Sequence, residues 1–427
     1  MTLAVIGAGN RGRAYASFAE RHPAVARVVA VAEPRAFQRD RLRERHGIPA
    51  AWAVETWEAL AALPRVADAV VIATRDALHA DIATRFASLG YDILLEKPMA
   101  TTEADCIRIV EAVERAGVIL AVCHVMRYTP YTRALKAQVD AGRIGDIVSV
   151  QHLEPVGWWH QAHSYVRGNW RREDESTFML MAKSCHDLDW LRHIVGRPCA
   201  RVSSFGGLAH FRPEARPDGA GERCIDCAIE PDCAYSAKRF YLECLETPER
   251  RRWPLSVITD DLTAAGVEAA LRDGPYGRCV YACDNDVVDH QVVSCEFAGG
   301  ATAAFTMTAF AAAAPRKTQL FGTRGSIDGD GRRITIFDFL TAATEVIDTG
   351  APESGHSGGD DGVIAAFCRA VATRDPSPIL SGPRESLETH RMVFAAERAR
   401  REGTVVSLAP DPRYTESGDD HLGDILR

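Results

Sequence analysis

No long run of Lys or Arg interrupts this sequence, and its 50 basic residues are outnumbered by 58 acidic ones, for a formal net charge of −8. Such a chain lacks the electrostatic footprint of a nucleic-acid binder. No apolar stretch reaches the roughly 18 residues of a membrane-spanning helix. Nor is a secretory leader visible, because Met1-Thr2 runs directly into Leu3-Ala4-Val5-Ile6 with no basic segment or cleavage site before it. Internal repeats and long low-complexity linkers are missing as well. A cytoplasmic protein is expected, with neither nucleic acid nor membrane as partner.

Hydrophobic residues make up 46% of the 427 and charged residues 25%, which is ordinary globular composition. The length suits two or three domains with room for a real core. In a reducing compartment the 12 cysteines do not read as a disulfide framework. Cys106, Cys123, Cys185, Cys199, Cys295 and Cys368 stand singly and read as small buried hydrophobes.

The first 125 residues alternate apolar strand candidates (Leu3–Ile6, Val28–Ala32, Asp68–Ala73, Asp92–Leu95, Val118–Cys123) with amphipathic segments such as Arg13–Arg21 and Asp76–Leu89. That alternation predicts a doubly wound parallel sheet covered on both faces. Its first turn, Gly7-Ala8-Gly9-Asn10-Arg11-Gly12, is a G-x-G-x-x-G between strand and helix. Gly7 allows the tight turn, Gly9 the approach of a pyrophosphate and Gly12 close helix packing, while the helix N-terminus offers free N–H groups. Glu33, 21 residues after Gly12, ends the second strand. A carboxylate there accepts from the ribose 2′-hydroxyl and repels a 2′-phosphate, favouring NAD over NADP. Arg35 works the other way, since a neighbouring cation can serve a 2′-phosphate.

The run Gly90-Tyr91-Asp92-Ile93-Leu94-Leu95-Glu96-Lys97-Pro98-Met99-Ala100 resembles the EKP signature of the Gfo/Idh/MocA oxidoreductases, the glucose–fructose oxidoreductase and inositol dehydrogenase family. Ala73-Thr74 followed by His79, Arg127-Tyr128 before Tyr131, Gly142-Arg143-Ile144-Gly145 and Phe321-Gly322-Thr323-Arg324-Gly325 match in the same order. The resemblance implies a Rossmann domain (1–125) and a C-terminal α/β domain (126–410) with an open, mostly antiparallel sheet, here followed by a polar tail (411–427). It also implies dimer or tetramer contacts through that sheet, and a sugar or sugar-like polyol lying on the nicotinamide. Asn10, Arg11, Thr74, His79, Glu96 and Lys97 join the cofactor-binding set, and Arg127 and Tyr128 the substrate side.

Lys97 takes the place of the family's catalytic lysine and His186 that of its acid/base histidine, in Met181-Ala182-Lys183-Ser184-Cys185-His186-Asp187. An aspartate expected one turn earlier is replaced by Ala182. Lys183, an amine in a segment otherwise built for burial, either takes over acid/base or donor work or pairs with an acid such as Glu154 or Asp187. His152, Glu154, Trp158, Trp159, His160, His163, Tyr165, Arg167, Asn169 and Trp170 cluster in a loop whose aromatic faces and polar groups suit a sugar, although the same residues favour protein contacts. Asp187, His290 and His356 are further candidate substrate ligands. Net dehydrogenation is the expected reaction. Redox-neutral NAD-dependent glycoside cleavage and a non-catalytic sensing role are the alternatives.

Between about residues 204 and 285 the chain carries extra, turn-rich material with Cys224-Ile225-Asp226-Cys227, Cys233, Cys244, Cys279 and Cys283. A C-x-x-C with further thiols suggests a structural zinc, with Cys224, Cys227, Cys233 and Cys283 as ligands; Cys244, Cys279 and His210 are alternatives for the fourth.

Overall fold

A computed structural model of the protein describes residues 1–350 and 355–408. The polar tail expected from residue 411 lies outside that range. Six strands, β1 (Thr2–Ile6), β2 (Arg27–Ala32), β3 (Ala53–Val54), β4 (Ala69–Ile72), β5 (Asp92–Leu95) and β6 (Leu120–Val122), form a sheet of order 3-2-1-4-5-6. Every pairing in it is parallel. β1, β4 and β5 are buried almost throughout, as strands covered on both faces must be. Helices α1 (Asn10–Arg21), α2 (Ala36–His46), α3 (Trp57–Ala62), α4 (His79–Ser88) and α5 (Glu103–Ala116) make the crossovers. The expected doubly wound sheet is present.

After α6 (Pro130–Asp140) the chain enters a nine-stranded sheet of order 14-13-12-11-7-10-9-8-15. Its strands are β7 (Ile147–Pro155), β8 (Cys199–Gly207), β9 (His290–Phe297), β10 (Thr302–Thr308), β11 (Lys317–Gly322), β12 (Gly325–Gly329), β13 (Arg333–Asp338), β14 (Thr344–Asp348) and β15 (Val406–Ser407). Only β7 and β10 run parallel. One face packs Val150, Val293, Phe305, Met307, Leu320 and Ile334 against the long helix α7 (Met179–Val195). The other face leaves Val148, Phe205, Val292, Phe321, Phe337 and Val346 exposed. Period-2 alternation along each strand produces this division.

The chain then returns to its beginning. The C-terminal helix Gly359–Thr373 buries Val363, Ile364, Phe367 and Val371 in the same core as Leu3 and Val5 of the first sheet and Phe18 of α1. Helix Pro383–Glu402 packs against both α5 and α7. The two sheets are therefore clamped by shared helices.

The long connection between β8 and β9 is not a bare loop. Its helices Ala237–Glu243 and Ala264–Asp273 enclose Phe240, Tyr241, Leu255, Val267, Leu271 and Tyr276 in a small apolar core. The turn-rich sequence hid this core, because its members are spread over about fifty positions.

Candidate active site

The glycine loop has the geometry its sequence predicts. Gly7 adopts φ +90°, and a Cβ there would stand 2.4 Å from the Ala73 carbonyl oxygen. A Cβ on Gly12 would stand 1.9 Å from the Gly7 carbonyl. Gly9 caps α1 with no side chain to occupy the first free N–H groups, so the helix end is left open for phosphate. These positions fit a dinucleotide.

Glu33 is buried at the end of β2, its Oε2 accepting from Ala8 N at 2.7 Å and its Oε1 from Arg35 Nε at 2.7 Å. Burial opposes its charge, but the bonds from Arg35 and Ala8 outweigh that and hold the carboxyl below the usual range. Arg35 itself is 61% exposed. Behind the loop, Glu96 accepts from Arg11 Nε at 2.5 Å, Tyr15 Oη at 2.9 Å and Lys97 N at 2.7 Å. Arg11 also grips Asp360, which His356 contacts at 3.0 Å. Glu96 and His356 thus brace the phosphate loop. His79 Nδ1 meets the Pro98 carbonyl at 2.8 Å and pins the turn after Lys97, while Thr74 lies at the mouth of β4.

Lys97 leaves the carboxyl end of β5, where doubly wound sheets place their ligands, and donates from Nζ to the carbonyl of Ala182 at 2.7 Å. That carbonyl belongs to α7, one turn before His186. The first domain's amine and the second domain's imidazole are brought together. Lys183 pairs with Glu154 at 3.1 Å, one of the two acids its sequence suggested.

The residue that organises this centre is one the sequence did not single out. Arg316 stands just before β11, its Nε 2.6 Å from Glu154 and 2.8 Å from Asp187, and its Nη2 2.8 Å from His186 Nε2. Ala-Pro-Arg-Lys is an unremarked turn in the sequence, and only the fold carries this arginine to α7. Asp187 also accepts from His152 at 3.2 Å, and His152 stacks on Trp190 with ring centroids 4.7 Å apart. Burial opposes the charge of Asp187, and Arg316 more than offsets it, keeping the carboxyl well below its usual range. Burial, then Lys97, drives His186 well below the ordinary imidazole value. Burial likewise lowers Lys183, against the pull of Glu154. His160, inside the aromatic segment, is depressed by burial and then by Lys183. Its ring lies 5.8 Å from that of Tyr165, whose hydroxyl burial and Glu154 push up.

Other expected substrate ligands are engaged elsewhere. Arg127 is buried and held by Asp189 through two 2.7 Å bonds, and Tyr128 donates to or accepts from Ser381 at 2.9 Å. Both secure the segment around residue 380. His163 meets Tyr241 Oη at 2.7 Å, and Arg167 donates to the carbonyls of Arg278 and Tyr235. Trp159 stacks on Phe240 at 5.2 Å, with Trp158 edge-on to the same ring at 6.2 Å. These side chains dock the β8–β9 connection onto the aromatic segment. Asn169 is exposed, and His290 pairs with its neighbour Asp289 at 2.8 Å.

The zinc expectation finds no support. Among the described residues no three His, Cys, Asp or Glu side chains gather as a metal would require. Cys224, Cys227, Cys233 and Cys279 do line one small void, but they share it with Arg167 and Tyr235, and Cys227 Sγ accepts from Gly221 N at 3.2 Å. Cys283 is not in that lining and donates to the Cys279 carbonyl at 3.2 Å. All twelve thiols are free. The apolar core of the connection supplies the cohesion that a metal clip was expected to give.

A pyrophosphate loop on a Rossmann sheet, with an amine at the sheet's carboxyl end pressed onto a second domain's histidine helix, is the build of a nicotinamide-dependent oxidoreductase. Residues 1–124 match the oxidoreductase family's NAD-binding Rossmann fold, and residues 136–408 match its C-terminal alpha/beta domain. The chain belongs to the Gfo/Idh/MocA oxidoreductase family. YteT of Bacillus subtilis (strain 168) is 26% identical over 311 residues, 69% of this chain and 70% of that protein. The 2,7-anhydro-N-acetylneuraminate hydratase of Escherichia coli (strain K12) is 29% identical over 35% of this chain and 39% of its own. Levoglucosan dehydrogenase in complex with NADH shares the fold, with a TM-score of 0.69 at 17% identity over 96% of this chain and 100% of that one. No described helix is long and apolar enough to cross a membrane.

Proposed function

We propose that this oxidoreductase removes hydride from a ring secondary alcohol of a sugar or sugar-like polyol, using NAD. The observation that carries the reading is the 2.7 Å bond from Lys97 Nζ to Ala182 O, which holds the amine of one domain a helical turn from His186 of the other. NAD, when bound, supplies the hydride acceptor. Lys97, at the sheet's carboxyl end, receives the hydroxyl proton. His186, kept neutral, accepts a hydrogen bond rather than carrying charge. Lys183, lowered by burial against the pull of Glu154, is a second amine at the site. Glu33 favours NAD over NADP through the 2′-hydroxyl of the ribose. The exposed apolar face of the nine-stranded sheet supports association into dimers or tetramers.

A second reading is redox-neutral glycoside cleavage, by transient oxidation, elimination, addition of water and re-reduction. The basic groups beyond Lys97, namely Lys183 and His160, favour it. One assay separates the two. Purified protein is incubated with NAD and a panel of polyols, sugars and aryl glycosides, following NADH and released aglycone. Stoichiometric NADH identifies the dehydrogenase, and aglycone without NADH identifies the glycosidase. Neither signal from a folded, NAD-binding protein would remove both.

A further inference from the structure

We propose that the substrate is a sugar acid, whose carboxylate is received by Arg316 together with Lys183. The inference rests on the sugar-oxidising reading above and adds the chemical class of the substrate.

The argument is one of hydrogen-bond polarity. The centre holds three basic side chains, Lys97, Lys183 and Arg316, and two acids, Glu154 and Asp187. The acids are sealed: their side chains are 4% and 0% exposed, and Arg316 contacts both of them. The basic side chains are not. Lys183 keeps 13% and Arg316 23% of its side chain open, and Lys97 is half-buried. Each also has donors to spare. Arg316 spends Nε and Nη2 on Glu154, Asp187 and His186, and Nη1 has no partner among the described residues. Among the described residues Lys183 Nζ meets only Glu154, and Lys97 Nζ only the Ala182 carbonyl.

His186 Nε2, an acceptor that could have served a substrate hydroxyl, is taken by Arg316 at 2.8 Å. Around Arg316 the centre therefore offers an incoming ligand more free donors than acceptors. A sugar hydroxyl both gives and takes a hydrogen bond. A carboxylate only accepts, at about four lone-pair sites, and charge-assisted bonds to Arg and Lys are roughly twice as strong as neutral ones. Ala182, where the family resemblance implied an aspartate, removes a charge that would have repelled it. Two other acids stand nearby. Asp76 accepts from Ser176 at 3.2 Å and makes no ion pair with the three basic side chains, and Glu96 is turned to Arg11 and Tyr15.

The test uses the full-length protein loaded with NADH, so that no turnover occurs. Calorimetry compares methyl glucuronoside and methyl galacturonoside with their uronamides, the parent methyl hexosides and glucose 6-phosphate. The expected result is that at least one acid binds tenfold or more tightly than its amide, by a margin that shrinks with added salt. Arg316→Gln is expected to lose most of that margin, and Arg316→Lys to restore part of it, at unchanged NADH affinity. The acid-against-amide comparison needs no variant, so a misfolded mutant leaves it standing. Amide or hexoside binding as well as acid overturns the inference and leaves the sugar reading intact. Preferential binding of the phosphate overturns the carboxylate assignment. No binding by any ligand removes this inference and the sugar reading together.

Discussion

Arg316 Nη2 lies 2.8 Å from His186 Nε2. A guanidinium can only donate, so Nε2 must accept, and the ring is held as the neutral Nδ1–H tautomer. Nδ1 is itself buried, with no hydrogen-bond partner among the described residues. This histidine is thus fixed in one protonation state by an arginine just before β11. The low-pH limb of a pH–rate profile is expected to come from the amine that must be neutral to receive the proton, not from this imidazole. Replacing His186 by Gln should lower turnover while leaving the midpoint of the low-pH limb in place. A low-pH limb that vanishes in that variant would show the imidazole titrating after all.

Lys97 should be indispensable. Lys97→Ala is expected to reduce turnover by about 10²–10⁴, the usual range for a proton-transfer group, while NADH binding measured by fluorescence stays within a few-fold. Full activity in a variant that still binds NADH would sink the assignment.

Arg127 separates a structural role from a substrate role. It is buried with Asp189, and breaking a buried pair by removing one partner costs about 3–5 kcal/mol. Arg127→Met should lower the melting temperature sharply. A variant that melts normally but shows a raised KM would return Arg127 to the substrate.

Glu33 should set cofactor choice. It repels a 2′-phosphate and also ties down Arg35. Glu33→Ser releases that arginine, so the ratio of NADP to NAD affinity should rise by about tenfold or more. An unchanged ratio would place the discrimination elsewhere.

Stability should fall with acid before any carboxylate titrates. Burial pushes His124 and His163 down to about 3, and His193 and His390 down to about 4. The unfolded chain takes up these protons near the ordinary pKa of about 6.5, and the folded chain does not, so the unfolded state binds more protons in between. The contribution is complete above about pH 6.5 and is lost as pH falls toward 4. Each histidine costs up to about 2 kcal/mol on reaching about pH 5. Melting temperatures across that window check it, and a flat or rising trend on acidification would contradict it.

The strands of the first sheet were readable because a buried parallel strand is a short apolar run, and β1, β2, β4 and β5 each are one. Lys97 was readable because local neighbours, a strand before it and Pro98 after it, place it. Arg127 and Arg167 misled for the opposite reason. An arginine in sequence carries no sign of whether its partner is a ligand or the buried Asp189, or a carbonyl at residue 278. The helix Gly359–Thr373 also gave no hint that it completes the core of the first sheet, since its apolar face records burial but not the surface that buries it.

By itself the sequence settled the doubly wound sheet, the pyrophosphate loop and the lysine at its edge, because each depends on residues within about one strand–turn–helix unit. Tertiary structure decided the rest: that Arg316 reaches Glu154, Asp187 and His186, that Lys183 pairs with Glu154, and that the cysteine-bearing connection has an apolar core. Those contacts join positions more than a hundred residues apart or depend on which faces meet. Hydrophobic burial fixes the faces, and the charges then pair with whatever the packing has brought within reach.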